Sequence, residues 1–349
     1  MTASLLLTVA AGGCATSQAA PVTASGPRPF RPAWWCRGAN QQTVLGALFR
    51  PVPPVKLERQ RWETPDGDFI DVDWLSGPPG APILIVLHGL EGSSRSKYVV
   101  SLLAAAEKEG WGGLGVNYRS CSGELNRLLR SYHGGETSDL TWIVQKISAE
   151  NGGSPIFLAG ASLGANILLK YLGEQGEGLP AAVRAGVAIS TPFDLARSAH
   201  TLEHGFARVY MKGIVKSMKG KARAKLKTHP GFVDEKKLEA AQTLAEFDDL
   251  VTAPVHGFRD ANDYWSHSSS IHFLAGIRRP ALLISAKDDP FFPGAYLPVS
   301  EVAANRFLTA EFTANGGHVG FLTGFWPGHL GSWTEQRTIL FLKDRLQRK

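Results

Sequence analysis

One serine stands between two glycines in Gly160-Ala161-Ser162-Leu163-Gly164, with the apolar run Ile156-Phe157-Leu158-Ala159 before it and Asn166-Ile167-Leu168-Leu169-Lys170 after it. A strand that turns sharply into a helix at a serine presents the hydroxyl clear of the backbone. Glycines two residues before and two after let strand and helix approach each other. The helix N-terminus beneath the turn favours negative charge on a neighbouring oxyanion. The chemistry this implies is nucleophilic attack, and a hydroxyl near neutral pH needs a base and a group that orients the base. In the strand-turn-helix arrangement these follow in the order serine, acid, histidine.

The acid is expected where a late apolar strand runs out into paired aspartates, Ala281-Leu282-Leu283-Ile284-Ser285-Ala286-Lys287-Asp288-Asp289-Pro290. Asp289 is preferred, because its spacing to Pro293 gives a D-x-x-x-P loop, while Asp288 can cap or brace that loop. The base is expected at His318, in Ala314-Asn315-Gly316-Gly317-His318-Val319-Gly320, beyond the last strand and in a glycine-rich loop with room for its ring. Position and flanking glycines set it apart from His200, His204, His229, His267, His272 and His329.

An oxyanion needs two donors. Val86-Leu87-His88-Gly89-Leu90-Glu91-Gly92 places a turn directly after an early strand, so the backbone N–H groups of Leu90 and Leu163 are the expected pair. His88 then reads as a hydrogen-bonded structural histidine. Two competing patterns are weaker. Ser94-Arg95-Ser96-Lys97 matches S-x-x-K but has no S-D-N or K-T-G partner. Cys121 has no obvious paired histidine beyond His133, and reads as a packed thiol. No H-E-x-x-H, phosphate loop or dinucleotide fingerprint occurs, so neither a metal nor another cofactor is expected.

The elements that must position these groups read as alternating strands and helices. Residues 55–63 and 69–75 flank Thr64-Pro65-Asp66-Gly67-Asp68 as an antiparallel hairpin. Strands are expected at 83–87, 113–118, 156–159, 183–189, 281–285 and 306–312, and helices at 96–109, 137–150, 163–171 and 333–346. This alternation predicts an α/β fold, a mostly parallel central sheet flanked by helices. It stops over residues 191–277, too long for a loop and rich in helix formers, which are expected to form a helical cap insertion.

The chain has 349 residues, 44% of them apolar, enough to bury a large core. Three cysteines (Cys14, Cys36, Cys121) are too few and scattered for a disulfide framework or zinc site, and fit a reducing, cytoplasmic setting. Leu5 to Cys14 has the look of a short export segment but lacks a preceding cation, so residues 1–28 are read as a flexible tail or weak signal-like segment. The rest, 29–349, is read as one domain. The net charge of +6 is partly local. Lys212, Lys216, Lys219, Lys221, Arg223, Lys225 and Lys227 include no acid among them. The run reads as a solvated helix face that could touch an anionic lipid surface. No nucleic-acid partner is expected, and nothing bears on oligomeric state.

The segments HGLEGSSRSKY, NYRSCSGELNR, SYHGGETSDL, GASLGAN, EFDDLVTAPVHGF, SAKDDPF and NGGHVGF occur in this order. Together with Asn40-Gln41-Gln42-Thr43 they resemble the YheT-like hydrolases of the α/β-hydrolase fold superfamily, over roughly residues 30–346. The resemblance implies a Ser162, Asp289, His318 triad and hydrolysis of small-molecule carboxylic esters, with short- to medium-chain acyl groups or monoacylglycerol-type lipids as substrates. The same acyl-enzyme could serve an acyltransferase, and an idle triad would leave a lipid-binding module.

Overall fold

The computed structural model describes residues 29–326 and 330–347. The segment 1–28, read above as a tail or signal-like segment, lies outside the described residues, as does His329.

Eight strands form one sheet: β1 (Glu58–Glu63), β2 (Phe69–Leu75), β3 (Ile83–Leu87), β4 (Gly112–Val116), β5 (Ile156–Ala161), β6 (Val183–Ile189), β7 (Ala281–Ala286) and β8 (Leu308–Thr313). Their order is β1-β2-β4-β3-β5-β6-β7-β8. The hairpin β1–β2 is antiparallel and joins β4 antiparallel; every later pairing is parallel. This is the expected α/β class. A two-residue pairing of β9 (Leu322–Thr323) with β10 (Gly331–Ser332) lies apart from it.

Side chains alternate along a strand, so each run divides between the two faces. Ile83, Ile85, Leu87, Ile156 and Leu158 bury with α3 (Ser138–Glu150) and α4 (Leu163–Gln175) on one face. Leu84, Val86, Phe157 and Ala159 bury with α2 (Lys97–Lys108) and α12 (Trp333–Gln347) on the other. A strand with helices over both faces must be apolar throughout, which is why ILIVL and ALLISA read as unbroken runs.

From β3 the chain crosses one way to β4, then returns past β3 to β5. That reversal leaves a crevice beyond the C-terminal ends of β3 and β5, the usual place for a ligand in such sheets. Between β6 and β7 run α5 (Leu195–Leu202), α6 (Ala207–Leu226), α7 (Glu235–Ala240), α8 (Leu244–Phe247), α9 (Ala253–His256) and α10 (Ala261–Ser268), with a π turn at Asp248–Thr252. The sequence reading had no element before β1, yet Ala39–Phe49 form a helix, α1. The other short helix, α11 (Val299–Ala304), precedes β8.

Candidate active site

Ser162 sits between β5 and α4 with φ at 54° and ψ at −126°, backbone geometry that a non-glycine residue rarely adopts. Its flanking glycines are required by contact. A Cβ on Gly160 would lie 2.4 Å from the Gly164 carbonyl oxygen, and one on Gly164 2.4 Å from the His88 carbonyl oxygen. The second contact draws the β3 turn against the start of α4.

His318 Nε2 lies 2.8 Å from Ser162 Oγ, and His318 Nδ1 lies 2.9 Å from Asp289 Oδ2. A carboxylate only accepts, so Nδ1 carries the proton and Nε2 is left to accept from the serine hydroxyl. Asp289 is buried, and its Oδ1 also accepts the N–H groups of Phe291 (2.7 Å) and Phe292 (3.3 Å), which fix its plane. Phe291 stacks on the imidazole, with ring centroids 4.0 Å apart. Asp288 does not touch the histidine. It accepts from Gly317 N–H (2.9 Å) and so holds the loop on which His318 stands.

Leu90 and Leu163 are the two expected oxyanion donors. Around Leu90, Gly89 N–H donates to Tyr98 Oη (2.7 Å) and Glu91 N–H to Tyr132 Oη (2.8 Å). Leu163 N–H belongs to the first turn of α4, whose donors have no intrahelical acceptor. His88 is fully buried; its Nδ1 lies 2.7 Å from the Gly89 carbonyl, and its Nε2 accepts Tyr118 N–H. Burial pushes its pKa down to about 3, so it is a neutral strut.

Sequence reasoning missed the support for the histidine loop. Thr43 Oγ1, on α1, accepts His318 N–H (2.9 Å). Gln42, fully buried, donates to the Cys36 and Leu322 carbonyls and accepts Leu322 N–H (2.6 Å). Arg50, just past α1, donates to the Val319 and Gly320 carbonyls. Asn166, also fully buried, ties α4 to Gly134 and Ser268 through its amide N–H and to Ser270 through its oxygen. The signal for α1 was the polar Asn40-Gln41-Gln42-Thr43, which has no apolar period to mark it as a helix.

The motif residues between β4 and α3 form a polar wall. Arg119, 1% exposed, is held by Asp139, Asp68 and Asp66. Asn126 bonds Asp68 and the Phe69 carbonyl. His133 packs against His256, with ring centroids 4.5 Å apart and planes tilted by 51°, and burial takes their pKa values to about 3 and 4. Cys121 is buried, its thiol pushed up by desolvation, with Lys221 Nζ at 3.1 Å.

That lysine belongs to the basic run, and here the solvated-face reading needs correction. Lys212, Lys216, Arg223 and Lys227 are exposed, but Lys219, Lys221 and Lys225 turn inward. Lys219 and Lys225 are buried and donate to backbone carbonyls, and Lys221 pairs with Glu91. The inner side of α6 thereby helps to line a cavity of about 730 Å³ that opens onto Ser162, Leu163 and His318. Much of its wall is apolar, including Leu195, Leu202, Ile214, Met218, Leu244 and Phe247. Among the described residues no helix is long and apolar enough to cross a membrane.

Comparison with known proteins bears on the fold and the family. A family model described as alpha/beta hydrolase fold matches residues 82–325. The YheT protein of Escherichia coli (strain K12), provisionally named an esterase, is 39% identical over 92% of this chain and 94% of its own length. Phospholipase ABHD3 of Mus musculus is 29% identical, covering 85% of this chain and 74% of that protein. Among solved structures, the Pyrococcus furiosus esterase Pf2001 is similar in fold, with a TM-score of 0.55, 18% identity and coverage of 85% and 96% of the two chains. The chain belongs to the α/β-hydrolase fold family, in the branch that includes YheT.

Proposed function

We propose that this carboxylic ester hydrolase works through an acyl-enzyme on Ser162. Ser162 Oγ attacks the ester carbonyl carbon while His318 Nε2 takes the hydroxyl proton. The Leu90 and Leu163 N–H groups receive the oxyanion, and Asp289 holds the imidazolium that forms. Collapse breaks the carbon–oxygen bond to the alcohol, which leaves with the proton from His318. Water then attacks the acyl-enzyme with His318 as base, releasing the acid and restoring the serine.

The observation that carries this reading is the line from Ser162 Oγ through the imidazole to Asp289, with steps of 2.8 and 2.9 Å. The cavity falls within the usual size for small-molecule sites, and its apolar wall suits a short- to medium-chain acyl group. The segment over residues 191–277 serves as the cap that sets chain length. The four exposed cations Lys212, Lys216, Arg223 and Lys227, three on α6 and one just past it, are the part of the basic run left for contact with a lipid surface, and the low cysteine content suits a cytoplasmic location. A fluorophosphonate probe tests the assignment. Wild type is labelled and turns over p-nitrophenyl butyrate, and Ser162→Ala does neither. Turnover by Ser162→Ala would overturn the reading.

A further inference from the structure

Helix α6 touches both halves of the site. Near its start Tyr210 packs on Phe291 with ring centroids 5.1 Å apart, and Phe291 in turn stacks on His318. Tyr210 Oη also donates to Asn40 Oδ1 on α1 (3.0 Å). Eleven residues further on, about 16 Å along a helix, Lys221 Nζ donates to Glu91 Oε1 at 2.9 Å.

Glu91 directly follows Leu90 and has a left-handed backbone, φ 57°. A glutamate there is strained unless its surroundings hold it. Four groups do. Its carboxylate accepts from Lys221, from Ser217 on the same helix, and from Tyr132 Oη (2.8 Å), while its N–H donates to Tyr132 Oη. The Glu91 side chain is 9% exposed. Two of these four holds come from α6, so the conformation of the turn that carries the Leu90 N–H depends on α6 being in place.

We propose that Glu91 and Lys221 are a positioning pair through which α6 sets the Leu90 N–H, so that the oxyanion pocket is complete only while α6 is seated. This rests on Leu90 being an oxyanion donor, as proposed above. Neither side chain touches the reacting atoms. A displaced α6 would leave the Glu91 carboxylate with Tyr132 as its one remaining partner among those named, and the cap and the catalytic turn therefore act as one unit.

The test is steady-state hydrolysis of p-nitrophenyl butyrate by the full chain. Lys221→Met and Glu91→Gln each lower kcat about tenfold, because a donor moved off its target loses part of its stabilisation of the transition state. KM stays within about twofold. Lys221→Arg retains about half of wild-type kcat, since it keeps the charge-assisted hydrogen bond. The pH–rate profile keeps its shape in all three, because His318 and Asp289 are untouched; general loosening of the site would shift it. Glu91→Gln is isosteric and carries the test if Lys221→Met does not fold. Wild-type kcat in both variants, or a loss confined to KM, overturns the proposal. If Ser162→Ala is inactive while these variants keep wild-type kcat, this inference alone fails; if Ser162→Ala stays active, the serine assignment fails first.

Discussion

Asp288 and Asp289 are adjacent carboxylates, and the hydrogen bonds around them predict different costs of removal. Asp289→Asn keeps the shape of the side chain but offers an N–H where the imidazole needs an acceptor. The histidine then takes the wrong tautomer, and kcat for p-nitrophenyl butyrate is expected to fall by about 10³ to 10⁴. Asp288→Asn retains an oxygen for Gly317 N–H, so the loop keeps its anchor. Its kcat is expected to remain within about tenfold of wild type, as for the loss of one neutral hydrogen bond's worth of positioning. Equal losses in the two variants would contradict the assigned roles. Sequence spacing alone favoured Asp289 through the proline that follows it. What it lacked was the pair of backbone donors, Phe291 and Phe292, that fix the carboxylate plane.

At the scale of elements, what could be read from the sequence was what the sheet buries. Strands covered on both faces must be continuously apolar, and β3, β6 and β7 begin where the reading placed them. Helix α1 escaped because polar groups anchor it. Gln42 and Thr43 bond segments some 280 residues away, a pairing with no local trace. The acidic and basic motif residues around Arg119 were unexplained for the same reason: their partners are 20 to 53 residues distant. The inward lysines of α6 carry no local sign of their burial because their acceptors, backbone carbonyls for Lys219 and Lys225 and the Glu91 carboxylate for Lys221, come from other segments. The anchoring role of α1 predicts that Gln42→Leu, which removes the donor to the Cys36 carbonyl, the acceptor of Leu322 N–H and one of the two donors to the Leu322 carbonyl, costs roughly 2–4 kcal/mol in urea unfolding. A change under about 0.5 kcal/mol would place it with ordinary surface substitutions.

For the molecule as a whole, buried histidines set the response to acid. His88, His133 and His256 are held neutral by burial, with pKa values of about 3, 3 and 4 against 6.5 for the free group. As pH falls below 6.5 the unfolded chain binds protons that the native chain does not, so stability declines through that window down to pH 3–4. Asp248 works the other way. Buried and bonded to Thr252 and Trp265, it titrates at about 7 instead of 3.8, so between those values the native state holds the extra proton. Burial raises Asp288 in the same sense. Three imidazoles outweigh two carboxyls, and the urea midpoint at pH 5 is expected to lie below that at pH 7.5. Asp248→Asn, by removing an opposing group, should steepen the decline, and a flat profile in both proteins would contradict the assignment.

The bond from Thr43 to the backbone of His318 joins a helix near one terminus to a loop near the other. The proposed base is thus steadied by a helix that precedes it by 275 residues. A fragment that ends before residue 314, or one that begins after residue 50, would retain the serine and most of the sheet while lacking a working proton acceptor. Hydrolytic competence should accordingly depend on a contact between two segments 275 residues apart, which neither fragment can form.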